Sequence, residues 1–441
     1  MRFLGSLYKE YRAAFRLFSG NARLFLLGSF LLGIGSNMLQ LLLNLYLKSL
    51  GFGEADIGTV LAMRAFGSFA IALPASFIIA RADSRYLLSS AAVLTAASYA
   101  GSALLSGFGP IAASVLLSGA FSSLYQVAAG PFFMKNSSPE ERVHLFSLNG
   151  ALGMGTGVIG SILGGSLKDL VFSMSGDESY AYKAALLLGA CFVAAAVAPF
   201  MSIKEQAMPG AKGGGPAAAA KPALGALDLR LYLKLLVPGF FVGMGAGLTI
   251  PYLNLYLKNE FALGDSLIGL IFALGQVGTF IGMAAGPGIA SRMGKARAIF
   301  LMQALSVPFI LVLTFLRFLP LVTLAFVARQ TLMNMSSPIA DNFGLEQVPP
   351  SQQHLMNALK MLNWTGSWMV SARISGSLIA RRGFVPSFLL TALLYALSSL
   401  LFWLFFLRPT PAGSAGQPPN GRQAGKTLPG ASPREHTEDR A

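Results

Sequence analysis

At 441 residues, with 54% hydrophobic and only 12% charged side chains, the chain lies far from a soluble domain, in which about a quarter of residues are charged. A formal net charge of +15 would suit a nucleic-acid binder, but the basic residues stand between long apolar runs, so no nucleic-acid partner is expected. One cysteine, Cys191, excludes an intrachain disulfide and any multi-cysteine metal site.

Residues 1–23 carry Phe3, Leu7, Tyr11, Phe15 and Phe18 at helical spacing, with Arg2, Lys9, Arg12 and Arg16 elsewhere, which predicts an amphipathic helix on the cytoplasmic leaflet. The apolar stretch that follows is too long for the core of a secretory signal and reads as a first span. Six spans of roughly 20 residues or more are predicted at 24–47, 55–80, 86–106, 109–134, 143–168 and 180–202. A flexible linker, 203–229, contains AKGGGPAAAAKPALGA. Six more spans follow at 230–257, 266–290, 297–317, 319–345, 354–380 and 384–407, and a polar tail, 408–441, is expected to be disordered. With both termini cytoplasmic, 21 of the 33 Lys and Arg fall on that side, which obeys the positive-inside rule.

An internal repeat joins the two sets. LNLYLK occupies Leu43–Lys48 and again Leu253–Lys258, and at the same offset Gly33 and Gly35 match Gly243 and Gly245. After a one-residue insertion, Ile57-Gly58 matches Ile268-Gly269, Gly67 matches Gly278, Arg81 matches Arg292, and Gly165-Ser166-Leu167 matches Gly376-Ser377-Leu378. Six spans per half is even, so both halves enter the membrane in the same sense. The expected fold is an all-α polytopic membrane protein. Its twelve transmembrane helices form two six-helix bundles, 24–202 and 230–407, related by a pseudo-two-fold axis along the membrane normal.

These features resemble the major facilitator superfamily over residues 24–407. That family carries a G-x-x-x-D-R-x-G-R-R loop between its second and third spans. Here the second half keeps Arg292, Gly294 and Lys295, and the first keeps Arg81. Ala80 and Ser291 replace the family's Asp, leaving Asp83, at a shifted position, as the carboxylate that would substitute. Gly160-Ser161-Ile162-Leu163-Gly164-Gly165 is similar to the G-P-x-x-G-G element of drug and metabolite antiporters, with Ser161 in place of Pro. The resemblance implies a secondary transporter working by alternating access, with Arg81, Asp83 and Arg292 in its gating loops and the antiporter-like element pointing to export.

A charged side chain inside the bilayer costs about 2.5–3.5 kcal/mol on insertion scales, so each needs an interior position or a route to the interface. Arg64 and Arg329 lie about ten residues into their spans, roughly 15 Å deep, and either contact an anionic or hydrogen-bonding solute or brace the helices. Asp341 is the carboxylate placed within a span. It is expected either to couple transport to protons or to pair with Lys360, at equal depth on the neighbouring antiparallel helix. Lys360, Trp364 and Trp368 recur every four residues, flanked by Asn363, Ser367 and Ser371, and this polar-aromatic face is assigned to the central cavity. Asn37, Gln40, Gln126 and Gln276 are further lining candidates or helix-to-helix glue. His144 and His354 lack neighbouring metal ligands, and no cofactor or metal is expected. The function that follows is a plasma-membrane transporter, acting as a monomer on a small solute. Proton-coupled export of amphiphilic or drug-like molecules is the first reading. Import of a polar metabolite or sugar, and lipid flipping, are the alternatives.

Overall fold

The computed structural model describes residues 18–204 and 228–408, apart from the side chains of Leu73, Ser76, Phe77, Ala80, Arg81, Pro139, Glu140, Val143 and His354. Most of the amphipathic segment, the linker and the tail lie outside the described residues. The first half comprises α1 (Gly20–Ser49), α2 (Glu54–Arg81), α3 (Ser84–Leu104), α4 (Phe108–Asn136), α5 (Pro139–Ser175) and α6 (Glu178–Ala195, extended by Val197–Met201). The second comprises α7 (Leu229–Thr249, continuing through a 3-10 turn at Ile250–Tyr252 into Leu253–Phe261), α8 (Asp265–Met293) and α9 (Lys295–Phe315). It is completed by α10 (Leu319–Glu346), α11 (Gln353–Arg382) and α12 (Phe384–Phe406).

Polar residues set where these helices begin. Ser19 accepts from the Ala22 N–H, Asp177 from Tyr180 and Asp228 from Leu231, each satisfying a donor that the first turn leaves free. Ser138 and Glu141 form a capping box around α5. Such caps carry the helices past the ends of the apolar runs, so α5, with 37 residues, is about 55 Å long and overshoots its predicted span at both ends. Gly294 and Gly383, at φ 85° and 74°, reverse the chain in one residue between α8 and α9 and between α11 and α12. Pro251 has no N–H to continue the helical ladder, and α7 tightens there into its 3-10 turn.

Among the described residues, ten of the twelve helices are long and apolar enough to cross a membrane. The two that fall short, α10 and α11, carry Arg329, Asn334 and Asp341 on one and Lys360 and Asn363 on the other. Each is flanked by more apolar helices: α10 packs on α8 and α9, and α11 on α2, α7 and α12. Tertiary packing thus supplies the shielding that their own composition lacks.

The halves meet through α2 against α11, α5 against α8, and α1 against α7, and the repeat reappears as paired contacts. Asn44 donates to the Pro251 carbonyl, and its repeat mate Asn254 donates to the Leu41 carbonyl at 2.6 Å. Within the halves, Tyr46 donates to the Ala103 carbonyl and Tyr256 to that of Leu313. Gly33 lies against Thr156 and Gly243 against Ser367. Most tellingly, Gly58 meets Gly376 across one side of the interface and Gly269 meets Gly165 across the other. Equivalent residues making equivalent contacts establish the pseudo-two-fold relation of the two bundles.

Candidate functional site

We call the end at which α1 begins the terminal end, and the opposite end distal. The sequence-predicted residues fall into three groups along this axis. Nearest the terminal end, Asp341 and Lys360 do meet, with Oδ1 and Nζ 2.5 Å apart and the ammonium also donating to the Ala340 carbonyl at 3.1 Å. Beside them Lys295, the first residue of α9, pairs with Glu346 at 2.5 Å and donates to Asn342. The expectation of a buried pair needs correction, because the Asp341 side chain is 62% exposed. Its helix ends only five residues later, at Glu346. An exposed pair contributes about 0.2–1 kcal/mol. Removing Lys360 with alanine should therefore lower the melting temperature only slightly, and Asp341→Asn should leave folding intact. A double-mutant cycle on thermal unfolding checks this, and a coupling well above 1 kcal/mol would contradict it.

At the helix ends on that side, Arg292 in the last turn of α8 is exposed, and the side chain of Arg81, the last residue of α2, lies outside the described residues. Asp83 opens α3 without capping it. With Arg85, Lys135, Asn136 and Lys204 it lines a small pocket, and its Oδ1 is buried without a hydrogen bond.

In the middle layer the two arginines part company. Arg64 is half-buried on α2, where its backbone lies against Gly119 of α4, and its guanidinium pairs with no other described residue. Arg329 is only 2% exposed, its Nε has no hydrogen bond, and its guanidinium carbon stands 6.0 Å from the Tyr395 ring of α12. The polar-aromatic face of α11 divides as well. Asn363 donates to the Leu236 carbonyl of α7, and Ser367 and Ser371 are fully buried against Gly243 and Gly247 of the same helix. These small polar groups serve close packing. Trp364 and Trp368 remain: their ring centroids are 6.0 Å apart, Trp364 is 46% exposed, and the buried Trp368 indole N–H has no acceptor. Counting inward from the Gly58–Gly376 contact on antiparallel helices, Arg64 and Trp368 stand about 9 and 12 Å deep, within one turn of the same level.

The amides differ in their surroundings. Asn37 donates to the Gly33 carbonyl on its own helix and abuts Gly160. Gln276 lies against Gly157 of α5, across the interface. Gln40 and Gln126 are exposed and form no hydrogen bond with another described residue. Two further amides that sequence reasoning passed over, Gln330 and Asn334, both donate to Thr279 at 3.3 Å, so α8 and α10 add a second polar patch.

Sequence reasoning also missed the distal cluster. Asp265, with a side chain 1% exposed, takes Lys168 at 2.5 Å and Lys258 at 3.0 Å, and accepts the Tyr182 hydroxyl at 3.0 Å. Lys258 also reaches Glu178 at 2.7 Å, and Asp169 accepts the Ser266 N–H at 2.7 Å. On the other flank, Arg373 donates to Thr59 at 3.1 Å. These contacts all join one half to the other, except that between Lys258 and Asp265, and they close the distal end. A signal did exist: Lys258 ends the second LNLYLK, and Asp265 stands where the repeat places Glu54 in the first half, itself 2.5 Å from Lys48.

The profile of the Major Facilitator Superfamily matches residues 25–372 and 235–433. No curated protein sequence matches the chain. Among solved structures it is similar to a variant of the nucleoside transporter NupG, at 14% identity and TM-score 0.73, over 88% of this chain and 100% of that one. It is also similar to a bacterial homolog of the human lysosomal transporter Spinster in an inward-facing, occupied conformation, at 11% identity and TM-score 0.72, over 87% and 96% of the two chains. A D-xylose-proton symporter is similar at 13% identity and TM-score 0.69, over 88% and 97%. At such identities the likeness is one of fold.

Proposed function

The chain belongs to the major facilitator superfamily of membrane transporters, and from that premise we propose that it exports amphiphilic, drug-like molecules in exchange for protons. The observation that carries this reading is the tryptophan pair on α11. Two indole rings one turn apart, one of them exposed and one with a free buried N–H, offer an apolar surface and a single hydrogen bond at the depth of Arg64, which pairs with no other described residue. Aromatic faces gain most from burying a planar or apolar solute, and a lone donor orients it without demanding one fixed pattern of polar groups. In this reading Arg64, Trp364 and Trp368 contact the solute, Asp341 and Lys360 carry the proton-linked gating, both termini are cytoplasmic, and the monomer in the plasma membrane is the working unit.

Import of a polar metabolite is the second reading. Its support is the amide patch of Gln330 and Asn334 with Thr279, whose donors and acceptors suit sugar-like hydroxyls. Transport into inside-out vesicles across a panel of dyes, sugars and organic anions, with and without a pH gradient, separates the two. Export predicts gradient-dependent uptake of at least one lipophilic dye or drug, lost on dissipating the gradient and reduced about tenfold or more by Trp364→Ala, the scale of losing one well-buried aromatic contact. Uptake confined to a sugar or polar metabolite, with dyes excluded, would replace export with the second reading.

A further inference from the structure

We propose that the small pocket at the terminal end of the first half is a phosphate site, filled by the headgroup of an anionic lipid. It lies where α3 begins, α4 ends and the chain leaves α6. Three cations, Arg85, Lys135 and Lys204, line it against one carboxylate, Asp83. Glu141, which follows Lys135 at the start of α5, is taken up by its capping box with Ser138. The Arg85 Nε and the Asp83 Oδ1 are both buried without a hydrogen bond, so the pocket holds a donor and an acceptor that no described group satisfies. Asp83 does not cap α3, and Ser84 and Arg85, whose N–H groups open that helix, line the same pocket. The rim is held in place by Asn21 of α1, which accepts the Lys204 N–H at 2.9 Å, donates to the Lys204 carbonyl at 2.6 Å and donates to Asn136 at 2.8 Å.

The second half carries its own version of this junction. After its one-residue insertion, the repeat sets Ser84 opposite Lys295 and Lys135 opposite Glu346. In the second half those two residues meet at 2.5 Å, so the junction of α9 and α10 supplies its own anion. The first half has a serine in place of the lysine and a lysine in place of the glutamate, and Arg85 stands where the second half has Ala296. Space is gained, the internal anion is lost and a cation is added. A negative group from outside the chain takes the place that Glu346 fills in the other half. A guanidinium beside two ammonium groups and a helix N-terminus is a donor set for phosphate. The membrane is its source. Tyr86, Met134 and Met201, all exposed, stand beside Arg85, Lys135 and Ile203, so large apolar side chains border the pocket, and the Arg85 guanidinium lies 5.0 Å over the Tyr86 ring. Tyrosine is enriched at the level of the lipid headgroups, where basic pockets between helices take anionic lipids. The Asp83 Oδ1, which lacks a donor, suits a headgroup that carries hydroxyls, as that of phosphatidylglycerol does.

The test measures thermal unfolding of the full chain in nanodiscs of phosphatidylcholine, with and without phosphatidylglycerol, and in phosphatidylcholine with inorganic phosphate added. Wild type should melt higher as the phosphatidylglycerol fraction rises. Arg85→Gln, and Lys204→Gln at an exposed rim position, should each need about tenfold more of that lipid for the same gain, the scale of one hydrogen bond to a charged group. Ser84→Lys combined with Lys135→Glu rebuilds the pair of the second half, and should remove the lipid dependence without lowering the melting temperature in phosphatidylcholine. Arg297→Gln, which removes an exposed cation outside the pocket, should keep the whole gain. A gain from inorganic phosphate, with nothing added by phosphatidylglycerol, would keep the phosphate site and overturn the lipid as its occupant. A wild-type melting temperature indifferent to both additions, a paired variant that responds as wild type does, or an equal loss in Arg297→Gln would overturn the site itself.

Discussion

Arg329→Met is expected to leave the protein as stable as wild type or more so, while cutting transport at least about tenfold. The residue is 2% exposed with its Nε unbonded, no described carboxylate pairs with it, and its guanidinium carbon stands 6.0 Å from the Tyr395 ring. Burying an ion without a partner costs several kcal/mol, and replacing buried charges by apolar residues of similar volume is often neutral or stabilising by about 1–4 kcal/mol. Methionine has the length and flexibility to fill the same space. A charge kept where an apolar side chain would pack better points to a role in handling the solute or in gating. Thermal unfolding in detergent and uptake into vesicles read the two quantities separately. A large fall in melting temperature would make Arg329 a brace between α10 and α12, and unimpaired transport would remove it from the solute path.

The second large effect is expected at the paired glycines. A Cβ on Gly165 would stand 2.2 Å from the Asp265 carbonyl oxygen, and one on Gly376 would stand 2.3 Å from that of Glu54. Both obstacles are backbone atoms, which cannot rotate aside, so Gly165→Leu or Gly376→Leu must push the halves apart at the distal end. Overpacking typically costs about 1–3 kcal/mol, and only the distal-closed state bears it. That difference shifts the balance between states by about 5- to 150-fold. Each leucine variant should therefore insert and fold but turn over at least about fivefold more slowly. Gly155→Ala, with no atom within 4 Å of its Cβ, is the control and should transport normally. Wild-type rates in both leucine variants would show that the distal end need not close so tightly.

How much of this was legible in sequence depended on whether the signal was local. Apolar runs of spanning length lie along the chain itself, so the twelve helices and the short basic turn after α8 could be read there, with boundaries blurred only where caps extend the helices. The repeat was also local to read. It determined that Gly58 and Gly269, and Gly165 and Gly376, occupy equivalent positions, though not that Gly58 touches Gly376 or Gly165 touches Gly269. The Asp341–Lys360 pair was found because one short loop forces its two helices to run side by side, so equal distances from Pro350 mean equal depth. Its exposure was not found, since that depends on what other helices leave uncovered.

Groups brought together from distant parts of the chain were beyond the reach of periodicity. Lys168 and Asp265 are separated by α6, the linker and the whole of α7, and each taken alone reads as a charge at the edge of a span. The serines of α11 have the same spacing whether they line water or meet glycines on α7, and only the packing of those helices chose the second. By itself the sequence determined the helices, their number and their two-fold relation, because hydrophobic length and repeat register are properties of one chain read in order. Which polar groups are paired, which are buried and which stand free was decided by the tertiary structure, because desolvation and Coulomb attraction act between whatever surfaces the fold brings within a few ångströms.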